Sequence, residues 1–461
     1  MNGDRKDALA ILDGARIVAT VPLAREHRGF HHHIAIRQIE ALRACGAEVF
    51  PFDVAYSQTG DSRALFAQVR ALSAFKPELV LGTGGPTQVF RCRTGRITMA
   101  DGWFVPNNLF VDHLGLPTIV TWDTMLEMVT ALRDASLVLS QSLLGVIERT
   151  RDLINNPLFF HVSSDQQHVD ALRKLGMLTT PNVRSQLTWS SPNHTYQAAE
   201  AGAPDRDIIF TGNLFKPQPA VGGGRALDVL ARFSGTVLSR MERDVTASYW
   251  DAVEQALAEI DAEDARTACL DYDQTFFWTF LVHDVMAKVI THGRLGALRA
   301  VRRPVELYGL LHDAGLASLL DGSTVTYRGV AEFDTELPKL FARSKVTLDV
   351  VTAYYPTGVT TKVVNCFAAG GLCLFNEKSA FRETFGSETD RVMYRTFDEM
   401  NAKLDYLLTH DRERAELAAY IRGQIEERYS WVTSVARMVA WVRETLAAGQ
   451  PARRDTAQGP S

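Results

Sequence analysis

Short β-branched runs alternate with helical patterns along most of this chain, each pair joined by a loop of small or polar residues. Arg16–Pro22 (RIVATVP) reads as a buried strand, and Ile34–Cys45 then sets Ile34, Ile36, Ile39 and Leu42 on one helical face that ends at Gly46. Ala47–Val54 is the next strand, Ala64–Phe75 is helical, and Pro77–Leu81 runs into the glycine loop Gly82-Thr83-Gly84-Gly85. Leu116–Trp122 follows as another strand. A second series comprises Asp207–Thr211, Pro304–Tyr308, Thr324–Arg328, Val346–Val351 and Leu372–Phe375, with closing helices over Asp411–Glu427 and Trp431–Leu446. Strands that alternate with helices pair in parallel through right-handed crossovers, so the expected fold class is α/β, with open doubly wound sheets.

A chain of 461 residues exceeds one ordinary core. The stretch Trp189–Arg206, dense in Ser, Pro, Asn, Gly and Ala, has linker composition and places a boundary near Pro204. The expected organisation is an N-terminal Rossmann-like domain over 1–204 and a second over 205–430, with a helical insertion at 225–300. A C-terminal helix at 431–447 and a solvated, disordered tail at 448–461 complete it. Two such sheets joined by one linker create a cleft.

Composition removes several function classes. Hydrophobic residues at 46% and charged residues at 22% give a globular balance, and a net charge of -5 argues against general nucleic-acid binding. The five cysteines (Cys45, Cys92, Cys269, Cys366 and Cys373) are scattered and never spaced C-x-x-C, so they read as reduced thiols of a cytoplasmic protein. The polar start and the lack of any long apolar run predict neither a signal peptide nor a transmembrane segment, and leave room for peripheral membrane contact. The glycine loop at Gly82 is not a dinucleotide fingerprint, and no Walker A loop, nucleophile elbow or zinc-protease helix is present. An aromatic cluster of Trp250, Tyr272, Phe276, Phe277, Trp278 and Phe280 in the insertion reads first as core packing.

The most informative stretch runs from Tyr354 to Gly371, YYPTGVTTKVVNCFAAGG. A strand ends, a Pro/Gly loop follows and a helix opens near Thr360. Amides at a helix start favour an anion, Thr360 and Thr361 add hydroxyls, and Lys362 adds a cation that could reach a phosphate. An N-capped helix carrying a surface lysine fits the same residues.

This stretch resembles the donor-site segment of GT-B glycosyltransferases, and within them the group-1 transferases related to the spore-maturation CgeB proteins. Further segments occur in the family's order. Ala15–Val54 resembles the first strand, glycine loop and helix, Phe159–Gly176 a strand, Asp, helix and closing Leu-Gly, Asp207–Asn213 the opening of the second domain, and Tyr327–Ser344 its glycine loop and Leu-Pro-x-Leu helix. The resemblance implies two Rossmann-like domains facing a cleft, with acceptor on the first and nucleotide-sugar donor on the second, and a final helix at 431–447 that crosses back to the first domain. It implies that Gly212 and Asn213 approach the diphosphate, Gly329 and Val330 the nucleobase, and Gly358, Thr360, Thr361 and Lys362 the phosphates and sugar. Asn365 stands where the family usually has a ribose-binding glutamate, and Thr357 where many retaining members have the first glutamate of an E-x7-E pattern.

On the first domain, Gly29 matches the family's glycine loop, and His31 and His32 begin a polar helix start that suits an acceptor. Three adjacent histidines on one backbone segment do not converge on one ion, so no metal is expected. Asp123 follows the strand ending at Trp122 and is a candidate general base for an acceptor hydroxyl, with a helix N-cap as its plainer role. Asp165 and His168 divide between capping and simple exposure in the same way.

These readings converge on a metal-independent glycosyltransferase that moves a sugar from a nucleoside diphosphate to an acceptor hydroxyl on a glycan, protein or small molecule. The nucleotide sugar is a co-substrate, no bound cofactor is expected, and Lys362 with Asp123 carries the chemistry. A sugar-nucleotide epimerase-like enzyme and a non-catalytic nucleotide-binding scaffold are the competing readings.

Overall fold

The computed structural model describes residues 12–21, 30–54, 62–82, 89, 92–100, 103–122, 153–174, 178–186, 202–214, 225–260, 285–311, 320, 322–333, 335–353 and 355–449. The first lobe holds β1 (Arg16–Val21), α1 (Phe30–Ala44), β2 (Glu48–Asp53), α2 (Ser62–Phe75) and β3 (Leu79–Gly82). It continues through β4 (Arg93–Ala100), β5 (Trp103–Asn108), β6 (Thr118–Trp122), β7 (Phe159–Ser163), α3 (Gln166–Lys174) and β8 (Val183–Ser185). Six of these strands form one parallel sheet in the order β2-β1-β3-β6-β7-β8. The antiparallel β4–β5 hairpin stands apart, and no strand–helix rhythm announces it.

The second lobe opens with β9 (Arg206–Thr211), followed by α4 (Arg225–Arg243), α5 (Tyr249–Glu259) and α6 (Met286–Ala300). Then come β10 (Val305–Tyr308), β11 (Val325–Gly329), α7 (Leu337–Ala342), β12 (Ser344–Asp349), α8 (Thr361–Ala368), β13 (Cys373–Asn376), α9 (Ser379–Phe385) and β14 (Met393–Tyr394). Its parallel sheet has the order β11-β10-β9-β12-β13-β14. The helices α10 (Phe397–Thr409), α11 (Asp411–Arg428) and α12 (Trp431–Gly449) end the described chain. Two parallel six-stranded sheets flanked by helices are the two Rossmann-like domains the alternating sequence predicts. The central strands β1, β9 and β12 are apolar because parallel strands are covered on both faces.

The cores decide how the lobes are tied. Trp431, Val435, Met438, Val439 and Val442 of α12 pack into the first-lobe cluster with Ile34, Ile39 and Leu42 of α1. The insertion does the same on the opposite side. Val229, Phe233, Tyr249, Trp250, Met286 and Ile290 share one cluster with Val18, Phe159 and Leu172 of the first lobe. Within α6 the allegiance changes, since Leu295, Ala297 and Leu298 belong to the second-lobe core. One helix therefore runs through both hydrophobic cores. Among the described residues no helix is long and apolar enough to cross a membrane.

Candidate functional site

In the second sheet the chain runs outward from β9 to β11, then returns to the other side of β9 as β12. The crevice at such a reversal, beyond the carboxyl ends of the strands, is where open α/β sheets bind ligands. Here it is bounded by the turn after β9 and by residues 350–360 after β12.

The first wall is a tight zipper of main chain. The Gly212 amide donates to Tyr308 at 2.9 Å, and the side-chain oxygen of Asn213 accepts the Leu310 amide at 2.9 Å. A Cβ on Gly309 would sit 2.1 Å from the Gly212 carbonyl, so only glycine allows the two turns to meet. Gly329 takes φ +93 at the end of β11, and its carbonyl accepts the Gly309 amide at 2.8 Å. Val330 stands exposed at the lip, at 59%.

The second wall carries α8. Thr360 is its N-cap in extended conformation, with the hydroxyl accepting the Val363 amide. Thr361 is buried in the first turn. The turn just before, however, is not open to solvent in the way a free anion site would be. Asp165 of the first lobe fills it: the amides of Thr357 and Gly358 both donate to Asp165 Oδ2 at 2.7 Å, and the Thr357 hydroxyl donates to Oδ1 at 2.9 Å. Asp165 also caps α3 by accepting the Gln167 amide at 2.9 Å. It is 1% exposed, and a Cβ on Gly358 would approach Asp165 Oδ2 to 3.3 Å and the Ser164 carbonyl to 3.0 Å. A side chain at 358 would crowd both atoms, so glycine suits this close approach of the two lobes.

Lys362 departs from expectation in the same region. Its ammonium turns inward, donating to the Thr211 carbonyl and pairing with Asp349 Oδ1 at 2.5 Å, with the Phe210 ring centroid 5.6 Å away. Removal from water pushes its pKa down; Asp349 opposes that, and Arg294 adds to it. Rather than reaching for a phosphate, Lys362 neutralises Asp349, which is 0% exposed at the end of β12. Arg294 of α6 donates to the Asn213 carbonyl and completes the cationic floor beneath the crevice. Asn365 is fully buried within α8. Gly29 and Asp123 lie outside the described residues. His31 and His32 fall in the first turn of α1.

Sequence reasoning left Asp165 divided between capping and exposure, and it missed Asp349, Arg294 and Lys378. An acid ending an apolar strand (VTLD) and a lysine just past another (LCLFNEK) are the signals that could have singled out two of them. Beside the Asp165 contact lies a polar cleft of about 450 Å³, bounded by Ser164, Gln167 and Arg184 of the first lobe, Thr357 and Glu383 of the second, and Arg437 of α12.

A family model described as Glycosyl transferase-like matches residues 295–440, which take in β10 to α11, the first half of α12 and the whole of the α8 turn. Among curated proteins none matches this chain significantly in sequence. The structure is similar to sucrose-phosphate synthase from Thermosynechococcus elongatus, at 11% identity over 95% of this chain and 100% of that one, with a TM-score of 0.51. The Anabaena protein HepE in complex with UDP-glucose aligns at 11% identity over 94% of this chain and 99% of its own, with a TM-score of 0.47. At such identity the first likeness establishes the fold, that of the two-lobed GT-B proteins.

Proposed function

We propose that this chain, a GT-B protein whose second lobe is a glycosyl transferase-like domain, transfers a sugar from a nucleoside diphosphate to an acceptor hydroxyl. The observation that carries the reading is the Asp165 contact. A turn that holds a carboxylate through two main-chain amides and a hydroxyl has the donor set a phosphate requires. It lies within the family-matched segment and at the reversal of the second sheet.

In this reading the donor diphosphate takes the place of the Asp165 carboxylate, against Thr357, Gly358 and the start of α8. Gly212 and Asn213 flank it, and the base lies by Gly329 and Val330. As the glycosidic bond to the diphosphate breaks, charge gathers on the leaving oxygen. Preorganised amides stabilise it without reorganising, and no metal enters the scheme. Arg294 contributes field from beneath the turn rather than direct contact, while Lys362 holds the buried Asp349 in place. Asp123, next to Trp122 in the chain, is the candidate base for the acceptor hydroxyl, and Gly29, His31 and His32 are the candidate acceptor side. The CgeB-like affinity rests on the order of the motifs, and a cytoplasmic setting on composition.

Titration calorimetry with uridine and guanosine diphosphates tests this. Asn213→Asp keeps the acceptor for the Leu310 amide but adds a negative charge beside the diphosphate, so affinity should fall about tenfold or more with the fold intact. If neither nucleotide binds the protein, or the variant binds as well as the parent, the reading is lost. A non-catalytic nucleotide-binding role is the second reading, favoured by Thr357 and Asn365 standing where the resemblance expects glutamates. Binding with no turnover of any nucleotide sugar would select it.

A further inference from the structure

A second cavity, of about 450 Å³, lies between the helical insertion and the carboxyl ends of β12, β13 and β14. It is separated from the polar cleft by the turn that holds Asp165, because Pro356 lines the one and Thr357 the other. Its walls are apolar, formed by Leu238 and Met241 of α4, Val289 and Ile290 of α6, and Val351 and Phe397 of the second lobe. Protein interiors are packed so that few voids exceed a water molecule, and an apolar hollow of this size has the dimensions of a ligand site.

The rim of the lining also carries Glu242, paired with His292, and Arg299, and two deeply buried polar groups in it, Lys378 and Thr352, have bonding capacity left over. Lys378 is 4% exposed, and its ammonium donates to the carbonyls of Tyr355 at 2.9 Å and Pro356 at 3.3 Å. An ammonium has three protons, so two carbonyls leave one donor over. No carboxylate among the described residues forms an ion pair with it; Asp165 and Asp349 act on it only as more distant charges. Desolvation accordingly lowers its pKa to about 8. Thr352 is 5% exposed, lines the same cavity, and its hydroxyl has no hydrogen-bond partner among the described residues. A buried cation without a counter-ion and a buried hydroxyl without a partner are both costly, and one ligand oxygen pair would relieve both.

We infer that this cavity binds an amphiphilic monocarboxylate, its apolar body among the α4 and α6 side chains and its carboxylate on Lys378 and Thr352. One ammonium proton and one hydroxyl match the two oxygens and single charge of a carboxylate. Residues 350–356 border both this cavity and the crevice proposed for the nucleotide, but the test involves no nucleotide, so the two readings stand or fall separately.

Equilibrium dialysis of the full chain against octanoate, with octan-1-ol as the neutral counterpart, reads the proposal. One saturable octanoate site is expected, about tenfold or more tighter than octanol, as a charge-assisted contact requires. Lys378→Met should remove that preference while leaving octanol within about threefold of the parent, the apolar walls being untouched. Met241→Trp, which fills the hollow, should abolish binding of both. Far-UV circular dichroism and melting curves report whether each variant folds, and if Lys378→Met does not, the octanoate-to-octanol ratio on the parent and the Met241→Trp result still decide. Failure of octanoate to bind, equal binding of acid and alcohol, or binding indifferent to Met241→Trp would overturn the inference.

Discussion

The Asp165 carboxylate crosses from the first lobe to take the Gly358 amide at 2.7 Å, 193 residues along the chain. This contact joins the end of β7 to the turn before α8, and it makes one side chain both a clasp between lobes and an occupant of the proposed phosphate cradle.

Asp165→Ala should therefore act in two directions. Loss of charge-assisted bonds to Thr357, Gly358 and the α3 cap should lower stability by about 2–3 kcal/mol. Affinity for a nucleoside diphosphate should rise, about tenfold, because the competing carboxylate is gone. Urea unfolding and calorimetry on the same preparation measure both. A variant that is destabilised and binds nucleotide less well would show that Asp165 supports the site rather than occupying it.

Lys362→Met leaves Asp349 buried without its counter-ion, and breaking such a pair costs about 3–5 kcal/mol. The double variant Lys362→Met, Asp349→Leu should recover most of that loss. Denaturant midpoints of the three proteins check it. Activity lost in Lys362→Met must accordingly be read beside its stability.

Gly309→Ala would force a methyl to 2.1 Å from the Gly212 carbonyl. The turns after β9 and β10 must part, at a cost of about 3 kcal/mol or more. Because Asn213 holds the Leu310 amide, nucleotide affinity should fall with stability. Gly322→Ala, at φ +77 with nothing within 4 Å of the added carbon, is the control for backbone strain alone.

His161 on β7 is fully buried, with Nε2 bonded to the Ile154 carbonyl at 2.8 Å and Nδ1 without a partner. Burial drives its pKa from 6.5 to about 4, the carbonyl opposing weakly. Above pH 6.5 both folded and unfolded forms are neutral and nothing is lost. As pH falls from 6.5 to 4 the unfolded form takes the proton first, so stability should drop by about 3 kcal/mol across that window. The fall in urea midpoint between pH 7 and pH 4.5 should shrink in His161→Gln.

The sheets were legible because a parallel strand buried on both faces must be apolar along its length. Asp207–Thr211, Pro304–Tyr308 and Thr324–Arg328 match β9, β10 and β11 to within a residue. Val346–Val351 falls two residues late on β12, because the polar Ser344 and Lys345 begin it. The turn before α8 was legible through its Pro, Gly and Thr. What filled that turn was not: a contact between Asp165 and Thr357 leaves no trace in local periodicity. Nor does composition distinguish a lysine that points to solvent from one that turns under a helix to meet Asp349. The side-chain direction of Lys362 follows from Asp349 ending β12 beside it in space, thirteen positions back in sequence.

The helix α6 has a mechanical meaning. Its first turns are bedded in one lobe and its last turns in the other, so it works as an axle common to both. A clamshell swing that parted the two sheets would have to shear this rod out of one of its sockets. Entry and exit of large ligands thus fall to rotation about α6, or to local yielding of the Thr357–Gly358 turn, rather than to wholesale gaping of the molecule.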